Sequence, residues 1–126
     1  MALWGAFAGS AATTWTIKYL VGRARPEFID VAAAVSPSFP SAHSSSAVAV
    51  YGFLAVMVAR KFRRRRTRIA VLSASAIAIA LIGFSRLFLS VHYLTDVLAG
   101  FAIGAIWLLA AYAVMRRAEK SLGLIS

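Results

Sequence analysis

Four long apolar runs dominate the sequence and limit what the chain can fold into. They cover Met1–Ile17, Ser44–Ala59, Ile69–Phe84 and Val97–Met115. A helix that crosses a bilayer needs about 20 mostly apolar residues, and the first three runs reach that length only with their flanking residues. Because a helix satisfies its own backbone hydrogen bonds without water, the runs predict an all-α, multi-pass transmembrane bundle of about four spans. We treat residues 1–126 as a single domain.

The composition also indicates a membrane protein. The 126 residues are 61% hydrophobic and 14% charged, whereas soluble domains are about half apolar and about a quarter charged. There is no cysteine, which excludes disulfide frameworks and thiolate zinc sites. The net charge of +10 would suit nucleic acid. However, the basic residues lie at the ends of the apolar runs, which favours contact with anionic lipid and argues against nucleic-acid binding.

Two basic clusters predict the orientation of the bundle. Arg60–Arg68 joins the second and third runs, and Arg116–Lys120 follows the fourth. Clusters of lysine and arginine mark the cytoplasmic side of a membrane, and four spans bring both clusters to the same side. The N- and C-termini are then cytoplasmic, and the chain is expected in the plasma (inner) membrane. The connections Lys18–His43 and Ser85–Asp96 face the outside.

Short local signals predict where helices begin and how they pack. Ser41 precedes the second run and is a good N-cap, and Thr95 is the matching candidate for the fourth helix. The stretches Gly5–Gly9 and Gly100–Gly104 each place two glycines four residues apart. Such spacing allows two helix backbones to approach closely. We interpret both pairs as ordinary helix packing.

Three of the cations on the predicted outer side need an explanation, because the positive-inside rule does not favour that side. Lys18 and Arg25 follow the first helix, and Arg86 follows the third. A single such residue is most simply read as snorkelling to lipid headgroups. Three together are harder to explain in that way. The forked guanidinium of arginine matches the oxygens of a phosphate group, which offers a functional reason for their convergence.

Both histidines and one aspartate lie on the same predicted side. His92 and Asp96 are four residues apart, which on a helix would bring them into contact. A carboxylate that accepts the Nδ1 proton leaves Nε2 free as a nucleophile or base. The alternative is a structural hydrogen bond at the start of the fourth helix, and the spacing alone does not decide between them. His43 lies at a helix N-terminus, where backbone N–H groups bind anions.

Three interpretations of this group remain open on the residues alone. Histidine and aspartate can bind zinc or iron, but Lys18, Arg25 and Arg86 would surround such an ion with positive charge. Phosphate chemistry uses the cations to hold the phosphate and the histidines to attack and protonate. Binding or transport of an anionic lipid leaves the pairing of His92 with Asp96 unexplained.

Three motifs occur in an order that resembles a known family. Lys18–Pro26 reads KYLVGRARP, Pro40–His43 reads PSAH and Ser85–Asp96 reads SRLFLSVHYLTD. They are similar to the Lys-x6-Arg-Pro, Pro-Ser-Gly-His and Ser-Arg-x5-His-x3-Asp motifs of the phosphatidic acid phosphatase type 2 superfamily. The resemblance implies a membrane enzyme that hydrolyses lipid phosphates or diphosphates on the extracytoplasmic face. It implies no metal and no cofactor.

The resemblance also implies a role for each site residue. Five residues would bind the phosphate through a side chain or a backbone N–H: Lys18, Arg25, Ser41, Ala42 and Arg86. His92 would attack phosphorus and form a phosphohistidine, and Asp96 would orient it. His43 would protonate the leaving group and then activate water. In a bacterium the favoured substrate is undecaprenyl diphosphate, followed by phosphatidylglycerol phosphate and phosphatidic acid. The expected partners are this lipid and membrane lipids, with a homo-oligomer left open.

The sequence departs from the family pattern in two respects. Ala42 stands where the second motif has glycine, so a methyl group lies close to the expected phosphate although the N–H is kept. Members usually have six spans with the motifs on the last four, so the chain is expected to lack the first two helices. The alternative function is therefore a non-catalytic lipid-phosphate-binding membrane protein or a truncated, inactive homologue.

Overall fold

The computed structural model describes residues 1–26 and 36–123. The described chain forms four helices, α1 (Ala2–Val21), α2 (Ala42–Arg60), α3 (Arg65–Phe88) and α4 (Leu94–Ser121). It contains no strand within the described residues, so the prediction of an all-α bundle is confirmed. Residues 27–35 of the predicted connection after the first helix lie outside the described part.

Three of the four helices are long and apolar enough to cross a membrane, namely α2, α3 and α4. α1 has 20 residues but is not among them, because hydroxyl side chains and Lys18 dilute its apolar character. The sequence predicts about four spans. The described chain has four helices, and three of them are long and apolar enough to cross a membrane.

Three polar residues of α1 lie on its inner face, namely Ser10, Thr14 and Lys18. Its buried residues are spaced by four along the helix and form one stripe: Ala6, Ser10, Thr14 and Lys18. The hydroxyls of Thr14 and Ser45 are 2.9 Å apart and hydrogen-bonded, and the indole Nε1 of Trp107 donates to Thr13 Oγ1 at 3.0 Å. Side-chain hydrogen bonds therefore join α1 to α2 and to α4 inside the bundle.

The contact between α2 and α4 is close because two glycines of α4 carry no side chain. A Cβ atom at Gly100 would collide with the carbonyl of Ser41, and one at Gly104 would collide with the carbonyl of Ser45. The backbones of the two helices therefore touch directly. The packing role predicted for Gly100–Gly104 is confirmed.

The first glycine pair behaves differently. Gly5 faces open space among the described residues, whereas Gly9 lies under the indole ring of Trp107. Gly9 therefore makes room for the side chain of Trp107, and this pair brings no two backbones into direct contact.

α2 contains an irregular segment near its middle. Residues Val48–Gly52 form a π-helical turn between the α-helical segments Ala42–Ala47 and Phe53–Arg60. π-turns are rare, and they occur frequently at functional sites. The carbonyl of Tyr51 within this turn accepts a hydrogen bond from Ser75 Oγ of α3 at 3.1 Å.

The helix starts agree with the sequence in one case and differ in the other. Ser41 is the N-cap of α2, and its Oγ accepts the N–H of Ser44 at 3.4 Å, as predicted. The prediction for Thr95 is wrong, because α4 begins at Leu94 and Tyr93 is its N-cap. The carboxylate of Asp96, at the third helical position, accepts the N–H of Tyr93 at 2.9 Å. Such a contact satisfies a backbone donor that the first helical turn leaves free.

Candidate active site

The polar residues singled out in the sequence collect at one end of the bundle. α1 and α3 end there, and α2 and α4 begin there. The N–H of Ser41 donates to the carbonyl of Asp96 at 2.9 Å, so the starts of α2 and α4 are joined through their backbones. We refer to this end of the bundle as the site end.

Lys18 points into the bundle and does not lie along its surface. Its side chain is buried, and Nζ donates to the carbonyl of Pro37 and, at 3.4 Å, to that of Ser38. Ser38 in turn donates its Oγ to the carbonyl of Ala24 at 3.0 Å. Lys18 therefore fixes the segment before α2 against the end of α1, and snorkelling does not describe it.

Arg25 connects the segment after α1 with the segment before α4. Its Nε donates to the Ser36 carbonyl at 2.9 Å, and its Nη2 donates to Ser36 Oγ at 3.2 Å. Its Nη1 donates to the carbonyl of Val91 at 3.1 Å. Val91 immediately precedes His92, so the positive charge of Arg25 lies beside the predicted nucleophile.

His92 and Asp96 are in contact, as their spacing predicts. Nδ1 of His92 lies 3.5 Å from Oδ2 of Asp96, and both side chains are buried. No hydrogen bond reaches this Nδ1 from the described residues, and 3.5 Å exceeds the usual length of such a bond. The assumption that both residues lie on a helix is wrong for His92, which precedes α4. This offset accounts for the loose contact.

The surroundings of His92 keep its imidazole neutral. Burial, and then the positive charges of Arg25 and Lys18, lower the pKa of His92 to about 4, while Asp96 acts in the opposite direction. A neutral imidazole has a free lone pair on one ring nitrogen. His92 is therefore in the protonation state that a nucleophile or base requires at neutral pH.

Arg23 is a functional candidate that the sequence analysis missed. Its Nη1 donates to Asp96 Oδ1 at 3.0 Å and to Thr95 Oγ1 at 2.7 Å. Its guanidinium also stacks over the ring of Tyr93 at 4.2 Å from the centroid. Since Asp96 Oδ2 accepts the N–H of Tyr93, Arg23 and this N–H together fix both oxygens of the carboxylate. The only available signal was that Arg23 lies inside the first motif.

The two phosphate-binding candidates before and at the start of α2 have different environments. Ser41 is fully buried, its N–H is bonded to Asp96, and its Oγ caps the helix. Ala42 is the first helical residue and is partly exposed. The first N–H groups of a helix have no partner within that helix. The geometry therefore favours the N–H of Ala42 over that of Ser41 as an anion donor.

His43, in the first turn of α2, and Arg86, near the end of α3, line the same cavity. This cavity between α2 and α3 has a volume of about 520 Å³, and Ala42 also lines it. Arg86 is half-buried, and its Nε donates to Ser85 Oγ at 3.2 Å. The lining of this cavity does not include His92 or Arg25. The structure thus brings the predicted residues to one end in two groups.

The inner group is buried or half-buried and hydrogen-bonded to its surroundings, and its members are Lys18, Arg25, Ser41, His92 and Asp96. The outer group faces the cavity and consists of Ala42, His43 and Arg86. Within residues 1–26 and 36–123, no cluster of three or more histidine, aspartate or glutamate side chains could hold a metal ion.

Comparison with known proteins gives a consistent result. The family model of the PAP2 superfamily matches residues 1–120. The chain is 38% identical over 90 residues to phosphatidylglycerophosphatase B of Bacillus subtilis, a match that covers 70% of the chain and 44% of the relative. It is also 38% identical over 80 residues to a PA-phosphatase related-family protein of Dictyostelium discoideum, covering 60% of the chain and 24% of that relative.

A solved structure shares the fold. It is the crystal structure of a transmembrane PAP2 type phosphatidylglycerolphosphate phosphatase from Bacillus subtilis, with a TM-score of 0.82 and 28% identity. The match covers 91% of the present chain and 58% of that structure. The chain thus spans about half the length of the Bacillus proteins that it matches.

Proposed function

The chain belongs to the PAP2 superfamily, and from this membership we propose that it is an integral membrane phosphatase that hydrolyses a lipid phosphate or diphosphate. The observation that carries the proposal is the arrangement at the site end. Arg25 lies beside a buried, neutral His92, and Asp96 is held in contact with that histidine. Phosphate binding and a nucleophile are thus supplied from adjoining segments.

In the proposed first step, Nε2 of His92 attacks phosphorus and a P–N bond forms. The bond from phosphorus to the leaving oxygen breaks, and His43 gives that oxygen a proton. The positive charge that develops on the imidazole is stabilised by the carboxylate of Asp96. Arg25, Arg86 and the N–H of Ala42 balance the charge on the phosphate oxygens.

In the second step, His43 removes a proton from water, and the water oxygen attacks the phosphohistidine. The P–N bond breaks, inorganic phosphate leaves and neutral His92 is restored. No residue in this sequence of steps requires a metal. We therefore expect phosphate release to persist in the presence of EDTA.

We propose phosphatidylglycerol phosphate and undecaprenyl diphosphate as the two substrates to compare first. The names of the Bacillus relatives favour the former, and the motif resemblance favours the latter if the chain comes from a bacterium. The test is release of inorganic phosphate by the purified full chain in detergent, with phosphatidic acid as a third substrate. The preferred substrate is the one with the highest kcat/KM.

The decisive variant is His92→Ala. We expect it to lose turnover by about 10⁶-fold, as a hydrolase does when its nucleophile is removed. Ile77→Ala, on an exposed position of α3, is the control and retains activity. Full turnover by His92→Ala would refute the mechanism. Lipid-phosphate binding by the wild type without any phosphate release would support the non-catalytic alternative.

We further propose that the site end faces away from the cytoplasm. The basic segment between α2 and α3 and the basic end of α4 lie at the opposite end of the bundle, and such clusters favour the cytoplasmic side. Because the chain has no cysteine, Leu89→Cys and Lys61→Cys can each be labelled singly in intact cells. A membrane-impermeant thiol reagent is expected to label Leu89→Cys only, and the reverse pattern would invert the orientation.

A further inference from the structure

The cavity between α2 and α3 has a charged end and an apolar end. His43 and Arg86 line it at the site end, and Val50, Tyr51 and Ile82 line it further along the helices. From His43 to Val50 the path is about two helical turns, or about 10 Å at 1.5 Å per residue. Its volume of about 520 Å³ falls in the range of pockets that bind small molecules.

Small side chains keep this space open. The wall of α2 between the two ends consists of Ser46 and Ala47, and α3 contributes Ser85. Beyond the cavity, Ser75 Oγ bonds to the carbonyl of Tyr51. α2 and α3 are therefore separated by small residues near the site and tied together by a hydrogen bond below it.

One wall of the cavity reaches the surface of the described bundle, because the lining residue Tyr51 is 49% exposed. Gly83 is the one buried residue of α3, all of which the structure describes. In a bilayer the exposed apolar surface of α3 would face lipid. A hydrocarbon chain could then enter between α2 and α3 without passing through water.

We propose that this cavity, the α2–α3 groove, binds the hydrocarbon chain of the substrate lipid while Arg86 and His43 contact its phosphate. The inference rests on the proposed phosphatase function. The charge distribution selects this occupant, because a lipid phosphate carries an anionic head next to an apolar chain, as the groove requires. A free phosphate would leave the apolar end of the groove empty.

The groove predicts that chemistry and chain recognition are separable. A bulky side chain at Val50 would fill the apolar end and leave His43 and Arg86 in place. Val50→Trp is therefore expected to raise KM for a long-chain lipid phosphate by about tenfold, since displacing several methylenes from an apolar site costs at least this much. Hydrolysis of glycerol phosphate, which has no chain, is expected to change by less than about twofold in kcat/KM.

Val58→Trp is the matched control. It makes the same substitution on the same helix at an exposed position that does not line the groove, and it is expected to behave as the wild type with both substrates. An equal rise in KM for the lipid phosphate in Val50→Trp and Val58→Trp would overturn the proposal that the groove binds the chain. So would a parallel loss by Val50→Trp on both substrates.

A photoreactive lipid phosphate provides a measurement that needs no substitution. A diazirine on its chain is expected to label Val50, Tyr51 or Ile82 in the wild-type protein, and excess unlabelled lipid phosphate is expected to suppress the labelling. Labelling that persists under competition would indicate bulk membrane lipid and would overturn the proposal, as would labelling confined to other helices. Absence of phosphate release by the wild type from every lipid phosphate would instead overturn the proposed function.

Discussion

The two ends of the bundle each hold one ion pair between described residues, and the two pairs differ in burial. At the site end, Arg23 Nη1 lies 3.0 Å from Asp96 Oδ1, with the arginine side chain 38% exposed and the aspartate side chain 0% exposed. At the opposite end, Arg60 Nη2 lies 2.7 Å from Glu119 Oε2, with the two side chains 24% and 22% exposed. The shorter distance belongs to the pair whose carboxylate water can reach.

Burial therefore indicates more about function than distance does. If Arg60 is lost, water can solvate Glu119, so a pair of this kind contributes little to stability. Asp96 has no access to water and must keep protein partners to remain charged. Its partners are Arg23 and the N–H of Tyr93, and it lies beside His92. The buried carboxylate holds a charge where the proposed chemistry needs it.

The largest expected effect separates the two acidic residues. Asp96→Asn is expected to lower kcat by about 10³- to 10⁴-fold, because the amide cannot stabilise the developing imidazolium. Glu119→Gln is expected to stay within about twofold of the wild type, since its pair is partly solvated. Both are measured as phosphate release under saturating lipid substrate. Equal losses would show that the two ends are not functionally distinct.

The next effect concerns the two arginines. Arg23→Gln is expected to destabilise the protein by about 1–2 kcal/mol, because it leaves a buried carboxylate without its cation, although the 38% exposure of Arg23 makes this less than for a fully buried pair. Arg60→Gln is expected to have a smaller effect on stability, because water can take the place of the lost partner. Thermal unfolding in one detergent compares the two.

A second measurement distinguishes positioning by Arg23 from a purely structural role. Loss of its positive charge strengthens the influence of Asp96 on His92, which raises the pKa of the imidazole. The acid limb of kcat/KM for Arg23→Gln is therefore expected to move to higher pH, and Arg23→Lys is expected to restore part of the shift. An unchanged pH profile would reduce Arg23 to a structural contact.

The smallest expected effect is in the pH profile of the wild type. Because the pKa of His92 is lowered to about 4, the imidazole remains unprotonated as the pH falls through 6.5, the ordinary value for histidine. After correction for ionisation of the substrate, kcat/KM at pH 5.5 is expected to retain more than about half of its value at pH 7. A tenfold loss at pH 5.5, as an ordinary histidine would give, would contradict the burial argument.

Much of the fold could be predicted from apolar runs, because period and length suffice to identify helices that face lipid. The bounds of the helices could not be predicted from these runs. α3 extends from Arg65 to Phe88 and includes charged residues that the sequence alone assigns to a connection. Arginine is a good helix former and lengthens the helix beyond its apolar part. Nothing in the sequence of α2 indicates the π-turn at Val48–Gly52.

The candidate site could be predicted only where its residues fall in local motifs. The contact between His92 and Asp96 follows from spacing, and that between Lys18 and the segment before α2 was not foreseen in detail. Arg23 and Asp96 are 73 residues apart, so no local pattern joins them, and only the folded chain reveals their pairing. Ser41 is predicted to bind phosphate, but in the structure its N–H bonds to the carbonyl of Asp96 and its Oγ caps α2.

The backbone contact between α2 and α4 has a consequence for motion at the site. The N–H of Ser41 bonds to the carbonyl of Asp96, and the backbone of α2 packs directly on Gly100 and Gly104 of α4. These contacts hold the two main chains together. The start of α2, with His43, and the start of α4 therefore form one rigid block. α3, the helix that carries Arg86, has a single buried residue. It is therefore held less firmly than the joined starts of α2 and α4. If the site closes around a substrate, we expect α3 to move while the joined starts of α2 and α4 stay in place.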